Sequence, residues 1–145
     1  MTYYAVIDTN VIVSSMLKTD SIPGLIIDCI KNNIIVPLLS EEIINEYVDV
    51  LTRNKFDFDI KEIETLISKI KEKGIVLQRE QTIETFIDVD DAVFYEIVMS
   101  AKNTVDAYLV TGNLRHYPMR SYIVTPREMI QIIEKENGPL HFEDA

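Results

Sequence analysis

Short apolar runs alternate with stretches whose apolar positions recur every three or four residues, from Tyr3 to about Ile133. Tyr3-Tyr4-Ala5-Val6-Ile7 is a β-prone run that stops at Asp8, the pattern of a buried strand. A helical stretch follows through Leu17, and a second covers 21–33, with Pro23 tolerated in its first turn. Residues 34–39 predict the next strand, and Ser40 is the expected N-cap of a helix reaching about Arg53. Asp59 with Glu62 three positions later resembles a capping box that has Asp at the cap, and Gly74 ends the helix it opens. Residues 75–77 predict a third strand, 88–102 a helix, 107–110 a fourth strand closed by Thr111-Gly112-Asn113, and 122–124 a fifth. Thr125-Pro126-Arg127-Glu128 caps the last helix, with Pro at its first position and Glu three after the cap. Residues 1–137 then form the domain, and 138–145 are expected to be a frayed tail.

Short apolar strands separated by helices imply right-handed β-α-β crossovers and a parallel sheet covered on both faces. In such α/β folds ligands sit at the carboxyl ends of the strands, near the point where strand order reverses. The polar residues directly after strands therefore matter most: Asp8-Thr9-Asn10, Ser40 and Thr111-Gly112-Asn113.

Composition narrows the class. The 145 residues are 47% hydrophobic and 26% charged, which suits one globular domain. No apolar run approaches the ~20 residues of a membrane span, and no signal peptide is visible at the N-terminus. The single cysteine, Cys29, excludes an internal disulfide framework and a cysteine-based zinc site. A reducing cytoplasm is the default location. The net charge of −10 argues against a broad electrostatic nucleic-acid binder. It does not exclude a nucleic-acid enzyme, because bound cations supply positive charge where carboxylates cluster. The window from Glu80 to Asn113 holds seven acids and one base, so most of the net charge is concentrated there.

Each candidate acid has an ordinary alternative. Asp8 is also in position to cap the next helix, although Thr9 and Asn10 would cap as well. In the helix from Ser40, the residues Ile43, Tyr47, Val48, Val50 and Leu51 form an apolar arc at ~100° per residue. Glu46 lies at the margin of that arc and Glu42, Asp49 and Arg53 outside it. Asp88, Asp90 and Asp91 would complement the dipole of a helix start. Asp90 and Asp91 both project near that helix's stripe of Phe94, Ile97, Val98 and Ala101, where a carboxylate needs a partner or a metal. Periodicity does not separate the two. Thr111-Gly112-Asn113 is either a turn or a hydroxyl and an amide aimed at the same crevice as Asp8. Carboxylates gathered without a histidine pair suit a hard cation, magnesium or manganese. Of the two histidines, His116 lies near the acids in sequence and His141 in the tail.

Taken together these motifs resemble the PIN domain family of metal-dependent ribonucleases, common as toxins of toxin–antitoxin pairs. Val6-Ile7-Asp8-Thr9-Asn10-Val11 is similar to the family's opening strand and first aspartate. The helix from Ser40 to Arg53 is similar to the one carrying its acidic residue, here Glu46. Asp88-Val89-Asp90-Asp91-Ala92-Val93-Phe94 resembles the third acidic motif, where the family pattern selects Asp91 and leaves Asp88 and Asp90 as accessories. Tyr108-Leu109-Val110-Thr111-Gly112-Asn113 is similar to the fourth, with Asn113 where an aspartate is usual.

The resemblance implies a three-layer α/β/α PIN-like fold with a central five-stranded parallel sheet, and hydrolysis of single-stranded RNA. Asp8, Glu46 and Asp91 would hold Mg2+ or Mn2+, and Asn113 would be a weak or indirect contributor. Thr9, Asn10 and Thr111 would orient ligands or substrate, and Arg115, His116 and Arg120 would meet RNA phosphate. A small antitoxin protein and a homodimer are the implied partners.

Two other readings compete. Asn113 favours a binding or regulatory module with a degenerate site. A phospho-accepting receiver domain is also small, acidic and five-stranded, but the expected acidic pair after strand one, aspartate ending strand three and lysine after strand five are all missing. A carboxylate cluster also implies electrostatic strain without metal, as neighbouring acids raise one another's pKa.

Overall fold

The computed structural model describes residues 1–79 and 91–142. Its strands are β1 (Tyr3–Ile7), β2 (Ile35–Leu39), β3 (Ile75–Val76), β4 (Ala107–Val110) and β5 (Ile123–Val124). The helices are α1 (Thr9–Leu17), α2 (Ile22–Lys31), α3 (Glu41–Leu51), α4 (Ile60–Lys73), α5 (Asp91–Ala101) and α6 (Pro126–Asn137), and a 3-10 turn covers Leu114–His116. The expected start of the fifth helix at Asp88, and the acids Glu80, Glu84 and Asp90, lie outside the described residues.

All strands pair in parallel, in the order β3-β2-β1-β4-β5. Travel outward from β1 to β3 uses α1 to α4, and the return from β3 to β4 uses α5. Right-handed crossovers in opposite directions put helices on opposite faces, which gives the three-layer α/β/α arrangement. The order also separates this chain from receiver domains, whose doubly wound sheet runs 2-1-3-4-5. Strand order reverses between β1 and β4, where Tyr4 pairs with Ala107 and Ile7 with Val110. The polar residues that follow these two strands, Asp8 and Thr111, are thus neighbours at the switch point.

The core forms because the central strands are buried on both faces. Ala5, Val6, Ile35, Leu39, Leu109 and Val110 are fully buried, together with Tyr47 and Phe94 from the flanking helices. The rings of Tyr47 and Phe94 meet at 6.4 Å between centroids, so α3, which packs chiefly on α1 and α4, also touches α5. Two caps hold as expected: Ser40 Oγ accepts from Ile43 N at 3.1 Å, and Thr125 with Glu128 closes a reciprocal capping box.

Other expectations change. Asp59 caps α4 by accepting from Lys61 N, one residue earlier than a capping box requires. Gly74 ends α4 with an extended backbone (φ −94°), not a left-handed one. Its missing side chain matters for space: a Cβ there would lie 2.6 Å from Leu39 Cδ1 and 2.8 Å from the Pro37 carbonyl oxygen. Edge strand β3 is not a buried strand, since Val76 is 65% exposed. Val48 also leaves the apolar arc of α3, whose buried residues are Ile43, Tyr47 and Leu51. The tail is tied down through Phe142, because Leu140 and Phe142 pack against the core and Leu140 N donates to Glu134.

Candidate active site

Asp8 is the centre of the site. It occupies the N-cap position of α1, yet its side chain makes no cap hydrogen bond. The carboxylate instead turns toward β4 and is 5% exposed. Three side-chain donors converge on its Oδ2: Thr111 Oγ1 at 2.8 Å, Tyr117 OH at 3.1 Å and Asn10 Nδ2 at 3.3 Å. Burial pushes the Asp8 pKa up, and the hydrogen bonds from Thr111 and Tyr117 pull the other way. The rise foreseen for the acidic cluster is therefore present at Asp8, but desolvation is its leading cause rather than carboxylate repulsion.

The strand ends are stitched so that this geometry is fixed. Asp8 N donates to the Val110 carbonyl and Thr111 N to the Val124 carbonyl. Thr111 Oγ1 also accepts from Asn113 N at 3.0 Å. Gly112 N donates to Asn10 Oδ1 at 2.9 Å, and a Cβ on Gly112 would lie 3.1 Å from that oxygen. The glycine lets the turn close on Asn10. Asn113 itself is exposed and stands at the N-cap of the 3-10 turn without capping it.

Glu46 and Asp91 flank Asp8. Glu46 Oε2 accepts from Thr9 Oγ1 at 2.6 Å, which ties α3 to the residue after Asp8. Asp91 Oδ2 lies 3.1 Å from His116 Nδ1. Two tyrosines mark how near the three acids are. Tyr47 is fully buried and its hydroxyl donates to the Ile7 carbonyl. Its pKa stands well above the usual value, from burial first and then from the charges of Asp8 and Glu46. The Tyr117 pKa is raised by burial and then by the charges of Asp8 and Asp91.

Asp8, Glu46 and Asp91 are thus linked to neighbouring side chains around the strand ends, but not joined in one closed ligand set. Among the described residues, no group of three or more His, Cys, Asp and Glu side chains is placed to hold a metal ion. Thr9 engages Glu46, and His116 engages Asp91. Asp88 and Asp90, the accessory acids, lie outside the described residues. Arg115 and Arg120 are exposed on the segment between β4 and β5.

A family model described as PIN domain matches residues 4–115, which spans β1 to β4 and the turn after it. This chain belongs to the PIN domain family. The fold is therefore of nuclease type. PIN domains are generally nucleases, that is, hydrolases acting on nucleic acids, and generally use divalent metal ions. No curated protein matches the chain at a significant level. Among the described residues, no helix of this PIN domain is long and apolar enough to cross a membrane.

Sequence reasoning missed three participants. Tyr47 was counted only as core, Tyr117 was not singled out, and Glu96 was not recognised as a buried acid paired with Arg79 at 2.6 Å. An aromatic with a polar tip that follows a strand-end turn was the available signal for Tyr117.

Proposed function

We propose that this PIN domain is a magnesium- or manganese-dependent endoribonuclease of single-stranded RNA, with 1–137 as its nuclease domain. The observation that carries the reading is Asp8. It is a buried carboxylate at the switch point of a nuclease-type fold, relieved of its capping role and held on one oxygen by three donors. The donor set suits a hard cation, since Asp8, Glu46 and Asp91 offer only carboxylate oxygens. A magnesium ion held by one or two carboxylates keeps several waters, so a closed cage of protein ligands is not required. Asp8, Asp91 and Glu46 would hold the ion between them.

When bound, the cation supplies an activated water and neutralises charge developing on the phosphodiester. The chain's own residues do the positioning. Thr111 and Asn10 fix the rotamer of Asp8, and Thr9 fixes Glu46. The guanidinium groups of Arg115 and Arg120 suit RNA phosphate, and His116 orients Asp91. The resemblance further supports a toxin of a type II toxin–antitoxin pair, restrained by a small antitoxin protein. An adjacent reading frame for a small DNA-binding protein would support that role, and its absence would count against it.

A metal-titrated cleavage assay on single-stranded RNA tests the chemistry. Cleavage is expected with Mg2+ or Mn2+, none with EDTA, and a loss of at least about a hundredfold in Asp8→Asn or Asp91→Asn. The exposed, neutral Asn113 favours a second reading, a binding module with a degenerate site. RNA bound but left uncut at any metal concentration would select it.

A further inference from the structure

Tyr117 follows directly on the 3-10 turn and is 7% exposed. Its ring belongs to the core, but its hydroxyl does not. That hydroxyl donates to Asp8 Oδ2 at 3.1 Å, and the preceding residue, His116, meets the Asp91 carboxylate at 3.1 Å. His116 and Tyr117 together therefore reach two elements, the first turn of α5 and the end of β1. Thr111 tethers Asp8 only to the neighbouring strand. A phenylalanine would fill the same core volume, so the hydroxyl has to be explained by what it touches.

We propose that Tyr117 is a positioning residue whose hydroxyl, bonded to Asp8 next to the His116–Asp91 pair, fixes the Asp8 carboxylate relative to Asp91 for a divalent cation. The inference rests on the metal-dependent reading above. Tyr117 holds Asp8 and its chain neighbour His116 holds Asp91, so one short segment positions both carboxylates. Partners that orient metal ligands in this way typically change metal affinity by about 10- to 100-fold when removed.

The test compares wild type, Tyr117→Phe and a control, Tyr122→Phe. The Tyr122 hydroxyl meets Tyr95 and Met99, away from the carboxylates. Mn2+ is titrated calorimetrically into each EDTA-stripped protein without RNA, and melting is followed in parallel. Tyr117→Phe is expected to melt as one folded species and to bind Mn2+ at least about tenfold more weakly. The Mn2+ concentration for half-maximal cleavage should rise by the same factor, and Tyr122→Phe should bind as wild type does. Wild-type Mn2+ affinity in Tyr117→Phe, with or without a lower Tm, would make the hydroxyl merely structural and overturn the proposal. A slower reaction at unchanged Mn2+ affinity would overturn it as well. No Mn2+ binding by the wild type would overturn the metal-dependent reading itself, and this proposal with it.

Discussion

At Asp8 burial and hydrogen bonding compete, and burial wins. The folded-state pKa lies above the usual carboxylate value of 3.8. The sign of the pH dependence follows. Between the unfolded and folded pKa values the native state binds more protons, so stability falls as pH rises through that window. Above the unfolded pKa the burial of the Asp8 carboxyl is a standing opposition to folding. Asp8→Asn in EDTA should therefore melt at a higher temperature than wild type at about pH 7, with the gap closing toward about pH 4. Calorimetric melts across that range check it; a lower Tm for the variant at neutral pH would mean that the lost acceptor outweighs the lost charge. Asp8 was legible in the sequence because a polar residue stops an apolar strand, and Thr111 because it does so again. Tyr117 was not, since nothing in the spacing of a lone tyrosine says that its hydroxyl returns to a carboxylate more than a hundred residues away. Nor could periodicity tell that Glu46 would be engaged by Thr9.

The elements carrying Glu46 and Asp91 are held together by a cation. Arg79, three residues beyond β3, bonds Glu96 of α5 at 2.6 Å and pairs with Glu42 of α3 at 3.5 Å. The two arms differ in worth. The Glu96 side chain is 8% exposed, whereas that of Glu42 is 51% exposed, so only the first leaves a buried charge when broken. Arg79→Met is expected to lose about 1–3 kcal/mol, a fall in Tm of about 3–10 °C for a domain of this size. Glu42→Ala should change Tm little. Adding Glu96→Leu to Arg79→Met should return most of the loss, because a buried pair replaced by apolar groups is often neutral. Thermal melts of the four proteins separate this clamp from simple loss of packing, which the double variant would not repair. The caps Ser40 and Thr125 were readable because their hydroxyls act within three residues. Glu96 was not, as it lies on a helix buried nearly all round, where amphipathic spacing carries no information. Gly74 misled for a related reason: a glycine after a helix usually signals a left-handed residue, but here it signals the closeness of Leu39 and Pro37.

Across the whole molecule, alternation of strand and helix was enough to foresee a parallel α/β sheet, but not the order β3-β2-β1-β4-β5. Order depends on which crossover reverses direction, and no local pattern records that. It is the order that brings Asp8 and Thr111 together, and so turns scattered acids into one site within a chain of net charge −10. Two effects of Mg2+ then need separating. Any salt screens diffuse self-repulsion over about 10 Å at ~0.1 M, whereas a site-bound ion stabilises by mass action on the native state alone. At a hundredfold excess over Kd the bound ion adds about 2.7 kcal/mol, roughly 9 °C in Tm for this length. Wild type should show that rise with Mg2+ beyond the response to NaCl at matched ionic strength. Asp8→Asn should keep the NaCl response and lose the excess. Equal responses of the two proteins to Mg2+ would assign the whole effect to screening and take the cation away from Asp8.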